Sequence, residues 1–434
     1  MTGRVVTVIG ANGTMGANVS GIFASFGKAK VYMLCRNISD AERAAERACA
    51  SVRAESIREN LIPADYSMLP QCVAESDIVF ESAAENIEIK CKIAQMVSSN
   101  LNADAISCSG SSGLSLTVLA ECYPEELRGN FFGVHMFNPP YSMPLCELIV
   151  TKYSNACLKE SLKDYLEKVL LRTVVEVPDT PAFLANRIGF QFINAAMQNV
   201  QKYSDNGGID YIDAILGPHT GRMMAPLATA DFVGLDVHKA IVSNVYANTN
   251  DYANGSFCLP GFAEKLINEH RLGRKSGEGL YKSVLSDTGR KKQLVYDIAS
   301  GSYRERIAYS FPFAEKMKDR LRNGDYQGAF SVLLNNHSKE AEICVDFLLN
   351  YIVYALYTAR TLCANEAAAE YVMASGFNWC PPLAMVQAFS SVTSVEGLIK
   401  ERLHGSIPDD VEIKDLLAKA EQTPYDYRPF FRAV

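Results

Sequence analysis

Residues 4–27 read RVVTVIGANGTMGANVSGIFASFG, and this stretch decides how the first part of the chain folds. It begins with a short β-branched run that ends at Gly10, which is typical of a buried parallel strand. A glycine-rich turn follows, and then a segment with the apolar spacing of a helix that closes at Gly27. The stretch therefore predicts a strand, a tight turn and a helix in immediate succession.

The glycines of the turn, Gly10, Gly13 and Gly16, have the spacing G-x-x-G-x-x-G, one residue longer than the usual G-x-G-x-x-G. Glycine lets the backbone turn tightly, approach a pyrophosphate and pack the helix on the sheet, and the helix N-terminus offers free N–H groups to the anion. Any strand–turn–helix corner can carry such glycines. Because a second strand follows about 20 residues on, we interpret them, together with Met15, as a dinucleotide-binding turn.

The end of the second predicted strand, KVYMLCR, bears on which dinucleotide the turn prefers. An acid usually stands there to accept hydrogen bonds from the ribose hydroxyls of NAD. This chain has Cys35 and Arg36 instead, and a guanidinium suits the 2′-phosphate of NADP. The alternative is that Arg36 stacks on adenine or faces solvent, so NAD and NADP both stay open.

Strand and helix patterns alternate over the first part of the chain. The further strand candidates are SDIVFES, ADAISCSGSSG, RGNFFGVHMF and RTVVEVPD, and helical patterns lie at residues 40–60, 86–101 and 158–171. Residues 40–60, rich in Ala, Glu and Arg with opposite charges three and four apart, suit a solvated helix. This alternation predicts an α/β fold, a Rossmann-type doubly wound and mostly parallel sheet with helices on both faces.

After about residue 183 the patterns are almost all helical, and a polar stretch rich in glycine and lysine, residues 273–293, marks a boundary. Residues 365–392 repeat residues 209–236 loosely: a helix flanked by acids, a glycine, a proline turn and another apolar helix. We therefore predict three domains: a Rossmann domain (1–182), a first helical domain (183–283), and a linker with a second, diverged helical domain (284–434).

Composition excludes several classes of protein. The chain has 434 residues, 48% hydrophobic and 21% charged, with a net charge of −7 and a pI near 5.6. This balance argues against a nucleic-acid or membrane-surface partner. The residues at the amino terminus lack the pattern of a signal peptide, and we expect neither a signal peptide nor a membrane-spanning run. Its twelve cysteines are scattered without zinc spacing, so we expect reduced thiols in the cytoplasm and no metal site.

A histidine and a glutamate stand twelve residues apart in GVHMFNPPYSMPLCELI, residues 133–149. By itself this stretch favours a structural interpretation, a core or turn histidine and an edge charge. The other histidines of the chain, at positions 219, 238, 270, 337 and 404, show no pairing in the sequence and are assigned to the surface or to packing.

Five motifs in order give the histidine a context: SGSSGL (109–114), GVHMFNPP with its glutamate, DTPAFLANRIG (179–189), GRMMAPLATADFVGLD (221–236) and LGRKSGEGLYK (272–282). In this order and spacing the chain resembles the L-3-hydroxyacyl-CoA dehydrogenase family, which includes 3-hydroxybutyryl-CoA dehydrogenases. The resemblance covers residues 5 to about 282, with a weaker second copy of the helical domain after that. It implies helical domains like the C-terminal domain of 6-phosphogluconate dehydrogenase.

The resemblance also implies the catalytic residues. His135 matches the family's catalytic histidine, which takes the proton of the 3-hydroxyl as hydride leaves C3, and imidazole suits this because it titrates near neutrality. Glu147 matches the carboxylate that orients the ring. Asn186 matches an asparagine that hydrogen-bonds the substrate, and Ser112 a serine that contacts the substrate oxygen.

The chain departs from the family around Ser112. Gly110 and Gly113 replace an asparagine and a serine of the usual Ser-Asn-Thr-Ser-Ser-Leu. A looser loop is therefore expected there.

Four further residues match cofactor contacts of the family: Glu85 and Lys90 near the nicotinamide half, with Asn138 and Lys275 elsewhere. Each of these residues also has a purely structural interpretation. Glu85 and Lys90 can be surface charges of a helix, Lys275 a solvated loop lysine, and Asn138 a turn former before a proline.

The resemblance implies an oxidoreductase that interconverts (S)-3-hydroxyacyl-CoA and 3-oxoacyl-CoA with NAD or NADP, as in fatty acid β-oxidation. The acyl-CoA thioester is expected between the Rossmann domain and the first helical domain. The rivals are a non-catalytic homologue that binds NAD(P) or acyl-CoA, and a dehydrogenase of a non-CoA hydroxyacid. A second helical copy that covers the pairing face of the first would favour a monomer over a homodimer.

Overall fold

The structure is a computed structural model that describes residues 4–285, 289–408 and 411–431. It divides into two compact units, Met1–Phe183 and Leu184–Val434. The predicted division of the second unit near residue 284 stays a prediction. Part of the polar stretch on which it was based, residues 286–288, lies outside the described residues.

The first unit is an eight-stranded sheet with the strand order β3-β2-β1-β4-β5-β6-β7-β8. Strands β1 to β6 are parallel, β7 runs antiparallel to β6, and β8 is parallel to β7. The strands are β1 Val5–Ile9, β2 Lys30–Cys35, β3 Leu61–Asp65, β4 Ile78–Glu81, β5 Ile106–Ser109, β6 Phe131–Met136, β7 Leu145–Val150 and β8 Thr173–Pro178. This order confirms the Rossmann-type doubly wound sheet.

Six helices connect these strands: α1 Thr14–Ser25, α2 Ile38–Val52, α3 Leu69–Glu75, α4 Ile87–Ser98, α5 Leu116–Glu121 and α6 Ala156–Asp164. The solvated helix predicted over residues 40–60 is wrong in two respects. It ends at Val52, because Arg53 adopts a left-handed conformation (φ 54°) and closes it, and a 3₁₀ segment follows. One face, including Ala44 and Ala48, is buried, since small side chains let the helix lie close to its neighbours.

Sequence patterns missed two strands. β3 lies at the edge of the sheet and contains Pro63, which disrupts a strand pattern and is tolerated only at such an edge. β7 is a short apolar run interrupted by Glu147, and only its pairing with β6 shows that it belongs to the sheet.

The second unit is mainly helical. Its helices are α7 Ala185–Lys202, α8 Ile209–Ile215, α9 Pro226–Val233, α10 Leu235–Asn248, α11 Gly261–Asn268, α12 Pro312–Arg322, α13 Tyr326–Leu334, α14 Lys339–Cys363, α15 Ala367–Val372, α16 Pro382–Ser390, α17 Val395–Arg402 and α18 Ile413–Gln422. A small antiparallel sheet of β9 Tyr281–Leu285, β10 Lys291–Asp297 and β11 Ser302–Glu305 adds to the predicted helical fold.

The loose repeat of the sequence has a counterpart in the structure. α8 and α9 enclose a turn, α15 and α16 enclose another, and both α9 and α16 begin at a proline. In the first copy the Asp213 carboxylate accepts hydrogen bonds from the first backbone N–H groups of α9, at Leu227 and Ala228. In the second copy the Glu370 carboxylate accepts hydrogen bonds from the corresponding N–H groups of α16, at Leu383 and Ala384. An acid on the earlier helix thus fixes the start of the later one in both copies.

One helix among the described residues, α14, is long and apolar enough to cross a membrane by length and composition alone. Most of its apolar window, 78%, is buried inside the structure. This burial is typical of a core helix.

The expectation that all twelve cysteines are reduced thiols is wrong for two of them. A disulfide joins Cys91 on α4 to Cys122, which directly follows α5, with their Cα atoms 5.4 Å apart. The other ten cysteines are not part of a disulfide. Sequence spacing could not indicate this pair, because packing of the two helices brings together residues separated by 31 positions.

Candidate active site

The glycine turn between β1 and α1 is shaped by close backbone approaches. Gly10 has a positive φ of 77°, and a Cβ there would lie 2.6 Å from the carbonyl oxygen of Ser82. A Cβ on Gly16 would lie 2.3 Å from the carbonyl oxygen of Gly10. Gly13 caps α1 without a side chain, and Met15 lies half-buried in the first turn of that helix. The turn therefore leaves the helix N-terminus open to an anion, and it fits a dinucleotide pyrophosphate.

Arg36 directly follows β2 and is exposed. Next to it, Asn37 caps α2 by accepting a hydrogen bond from the Asp40 N–H. Arg47, on the same helix, donates from Nη2 to the carbonyl oxygen of Asn12 in the glycine turn, at 2.7 Å. Arg36 and Arg47 thus both lie on the segment that follows β2, and Arg47 donates a hydrogen bond to the glycine turn itself.

His135 and Glu147 form a cross-strand pair. They lie directly opposite each other on the antiparallel strands β6 and β7, so their side chains share one face of the sheet. The His135 Nδ1 and the Glu147 Oε2 are 2.7 Å apart, and the two residues are 6% and 0% exposed. The rings of Phe137 and Phe183 lie 4.7 and 5.4 Å from the imidazole, centroid to centroid. The twelve-residue separation thus reflects one hairpin that brings a histidine onto a buried carboxylate.

The loop that carries Ser112 is held by one carboxylate. Oε1 of Glu85 accepts hydrogen bonds from the Ser111 hydroxyl at 2.6 Å and from the N–H groups of Ser112 and Gly113 at 3.0 and 2.8 Å. Burial alone would raise the pKa of Glu85, but these hydrogen bonds and the charge of Lys90 lower it. The loop is therefore held by Glu85 even though it contains Gly110 and Gly113.

Lys90 lies behind this loop in a buried ion pair that the sequence did not indicate. Its Nζ donates to both carboxylate oxygens of Glu81, each at 2.8 Å, and lies 3.5 Å from Glu85. The Lys90 side chain is only 2% exposed. Glu81 also accepts from the Ser109 hydroxyl at 2.7 Å. The sequence signal that could have indicated this pair was Glu81 itself, an acid at the carboxyl end of β4. Ligands bind at that edge of a doubly wound sheet, so an acid there is a candidate for a role in the site.

Asp179 was a second residue whose role sequence reasoning missed. Its carboxylate accepts hydrogen bonds from the Ser115 hydroxyl and from the N–H groups of Leu116 and Thr117. These N–H groups open α5, so Asp179 fixes the far end of the loop.

Asn138 is exposed and precedes a cis peptide bond to Pro139. Its side-chain oxygen accepts a hydrogen bond from Asn18 Nδ2 of α1 at 2.9 Å. This contact places Asn138 beside the helix that the glycine turn opens.

Comparison with known proteins agrees with this geometry. The model of the 3-hydroxyacyl-CoA dehydrogenase NAD binding domain matches residues 5–180, and the model of the C-terminal domain of the same family matches residues 183–283. A 3-hydroxybutyryl-CoA dehydrogenase of Bradyrhizobium diazoefficiens is 32% identical over 48% of this chain and 69% of its own length.

The chain belongs to the 3-hydroxyacyl-CoA dehydrogenase family.

Two further relatives extend the similarity beyond residue 283. A probable 3-hydroxyacyl-CoA dehydrogenase of Bacillus subtilis is 28% identical over 81% of this chain, which spans 43% of that relative's length. The crystal structure of 3-hydroxybutyryl-CoA dehydrogenase from Escherichia coli has a TM-score of 0.69 and 19% identity, over 97% of this chain and 99% of that chain. The latter likeness shows that the fold is shared over nearly the whole chain.

Two family positions lie in the second unit. Asn186 is the second residue of α7 and is 7% exposed. Lys275 lies in a short 3₁₀ segment, and its Nζ pairs with Asp236 at 2.5 Å. No group of three or more histidine, cysteine or acidic side chains that could hold a metal ion occurs in the part of the chain that the structure describes.

Proposed function

We propose that this member of the 3-hydroxyacyl-CoA dehydrogenase family interconverts a 3-hydroxyacyl-CoA and a 3-oxoacyl-CoA with a nicotinamide dinucleotide. The observation that carries the proposal is the buried pair of His135 and Glu147 on the Rossmann sheet. The bound dinucleotide supplies the acceptor or donor of the hydride at C3 of the acyl group.

His135 moves the proton of this reaction. Its Nδ1 is bonded to the carboxylate, which leaves Nε2 to take the proton of the 3-hydroxyl as the hydride leaves, and to return it in the reverse direction. Glu147 orients the ring and stabilises the imidazolium as it forms. Because the pair is buried, the carboxylate acts with little screening by water.

In this proposal Ser112 contacts the substrate oxygen and Asn186 hydrogen-bonds the substrate. Ser112 lies on a loop whose backbone N–H groups donate hydrogen bonds to Glu85. Because the loop is already ordered, less conformational entropy is lost when the substrate binds. Lys90 acts indirectly, because its ammonium is enclosed by Glu81 and Glu85.

Reduction of acetoacetyl-CoA by NADH and by NADPH, followed through the loss of nicotinamide absorbance, tests the activity. Wild type should turn over, and His135→Gln should bind the dinucleotide equally well but lose at least about 100-fold in kcat. Dinucleotide binding without turnover on acyl-CoA substrates of several chain lengths would support the non-catalytic homologue. Faster turnover of free 3-oxoacids than of their CoA thioesters would support the dehydrogenase of a non-CoA hydroxyacid.

The preferred dinucleotide is NADP in our proposal, with Arg36 bound to the 2′-phosphate. Its support is the exposed guanidinium directly after β2, where an NAD site usually has an acid. Kinetics with both reduced cofactors test it in Arg36→Ala, with the exposed Arg53→Ala as the matched control. Arg36→Ala should raise the KM for NADPH at least about tenfold more than that for NADH, because a charge-assisted contact is lost. Equal effects on the two cofactors would exclude this role.

The chain acts as a monomer in our proposal, because the two helical copies pair within the second unit. The Cys380 N–H donates to the carbonyl oxygen of Gly221 at 2.7 Å, which joins the turns of the two copies. Arg222 of the first copy is 2% exposed and lies 4.6 Å from the ring of Trp379 in the second. Light scattering after size exclusion should give the mass of one chain, 47.7 kDa. A stable mass of twice that value would show that another surface pairs two chains.

The proposed location is the cytoplasm. Its support is the set of ten cysteines outside the disulfide, seven of them buried, which oxidising compartments would put at risk of mispairing. Fractionation of cells that express the full protein tests the location.

A further inference from the structure

The second unit contains a cavity of about 470 Å³ that none of the sequence motifs touches. It is bounded by α7 of the first helical copy, by residues 252–256, and by α14 of the second copy. Cavities of this size hold small-molecule ligands. The residues assigned above to catalysis or to the dinucleotide do not line it.

Gln191 gives the cavity a polar group without a partner. The residue is 8% exposed and lines the cavity, and among the described residues its side-chain amide makes no hydrogen bond. Other amides of the same helix are used differently: Asn194 and Gln198 both donate to the carbonyl oxygen of Cys258, which holds the neighbouring loop. Solvent reaches the amide atoms of Gln191 in the cavity, so a ligand that enters can hydrogen-bond them in place of water.

The walls around this amide are rich in aromatic side chains. Phe192, Tyr203, Tyr252, Phe347 and Tyr354 all line the cavity. The rings of Phe192 and Phe347 pack edge to face with centroids 5.5 Å apart, and those of Tyr252 and Tyr354 lie 5.9 Å apart. Phe192 and Tyr354 are each 1% exposed, so the half-buried rings of Tyr252 and Phe347 are the ones on which a flat nitrogen heterocycle can stack.

Two further amides and one cation complete the lining. Asn199 and Asn350 each donate to a carbonyl oxygen of their own helix, which leaves their side-chain oxygens as acceptors. Lys202 is exposed at the cavity, and the Asp346 carboxylate is already neutralised by Arg402. A ligand with N–H donors on its ring and an anionic group outside it matches this arrangement.

We propose that this cavity is a second, non-catalytic site that binds an adenine nucleotide. The primary amide of Gln191 can donate to N7 and accept from the 6-amino group, which is the pairing that glutamine makes with adenine. The aromatic walls stack on the purine, and Lys202 meets the phosphate. A free nucleotide and the adenosine phosphate end of CoA or of a dinucleotide share this chemistry.

Hydrogen–deuterium exchange on the full chain locates binding directly. AMP, CoA and NADH are added separately. IMP is the control for recognition of the 6-amino group, because it carries an oxygen where adenine has that group. AMP should protect residues 191–203 and 343–354. The fluorescence of Trp379, the single tryptophan, should follow the titration, because its ring lies 5.4 Å from that of Phe192. IMP should bind at least about tenfold more weakly than AMP.

Gln191→Met keeps the size of the side chain and removes the amide. It should weaken AMP binding at least about tenfold, and Gln201→Met, on the same helix but exposed and outside the cavity, should leave it unchanged. Neither substitution should alter turnover at saturating substrate. Protection by AMP alone assigns the site to a free nucleotide, and protection by CoA or NADH as well assigns it also to their adenosine ends. No protection of either segment by any of the adenine compounds, or equal AMP binding by Gln191→Met and wild type, would overturn the proposal.

Discussion

Replacement of Glu147 by glutamine tests the central pair with the smallest change of shape. The carboxylate is fully buried and lies 2.7 Å from the His135 Nδ1, so the substitution removes a charge-assisted hydrogen bond in a site shielded from water. Hydrogen bonds to charged groups contribute about 1.5–3 kcal/mol. At 1.36 kcal/mol per tenfold, this corresponds to a loss of about 10- to 150-fold in kcat.

A second effect enlarges that loss. The amide of glutamine can present its NH₂ group to Nδ1, which would move the imidazole proton to Nε2, the nitrogen that must accept the proton of the alcohol. In the serine-protease triad the analogous exchange of carboxylate for amide lowers kcat by about 10⁴. We therefore expect a loss of between about 10- and 10⁴-fold, with most of the change in kcat.

The assay is steady-state reduction of acetoacetyl-CoA, together with the Kd of the reduced dinucleotide and the Tm of each variant. Glu176→Gln is the matched control, because Glu176 lies on β8 of the same sheet and pairs with Lys159 and Lys163. The control should keep its kcat, and both variants should keep the Kd of the dinucleotide. A kcat for Glu147→Gln within twofold of wild type, in a folded protein, would refute the assignment of Glu147 as the partner of the base.

Three further predictions concern stability. Lys90→Met should lower the free energy of unfolding in urea by about 3–5 kcal/mol, because it leaves Glu81 buried without its cation, and adding Glu81→Gln should recover part of the loss. Asp179→Ala should cost about 1–2 kcal/mol, measured as a lower Tm, because the first two N–H groups of α5 lose their acceptor while the N-cap Ser115 stays in place; an unchanged Tm would contradict this. Burial lowers the pKa of His219 to about 3, so this residue stays neutral in the folded protein while the unfolded chain takes up a proton below about pH 6.5. Stability should therefore fall as pH falls below 6.5, by about 1.4 kcal/mol from this residue at pH 5.5. Urea unfolding at pH 5.5 and 7.5 should show a smaller loss of stability in His219→Leu than in wild type.

Local sequence patterns were sufficient to predict the parts of the fold that depend on residues close together in the chain. The β-branched run before Gly10, the glycine spacing and the alternation of strands with helices indicated the Rossmann sheet. The order of five motifs indicated the family. Pattern failed at β3, where a proline at the sheet edge hid the strand, and at Cys91 and Cys122, whose pairing depends on how two helices pack.

The residues of the candidate site also fall into those that the sequence indicated and those that it did not. Sequence comparison pointed to His135 and Glu147, but Glu81 and Asp179 were missed. Their partners are backbone N–H groups, a buried lysine and serine hydroxyls, which any acid near a strand end can approach. No residue type or spacing marks such a contact in advance.

The sequence by itself determined the order of most elements and the glycine turn, and through the order of five motifs it pointed to His135 and Glu147 as the proposed proton-transferring pair. Each of these depends on residues close together in the chain or on a motif order. Only the tertiary structure decided that β6 and β7 place His135 opposite Glu147, that one carboxylate holds the Ser112 loop, and that Gln191 faces a cavity without a partner. The physical reason is that hydrogen bonding and burial depend on distances in space, and these are set when remote segments pack together.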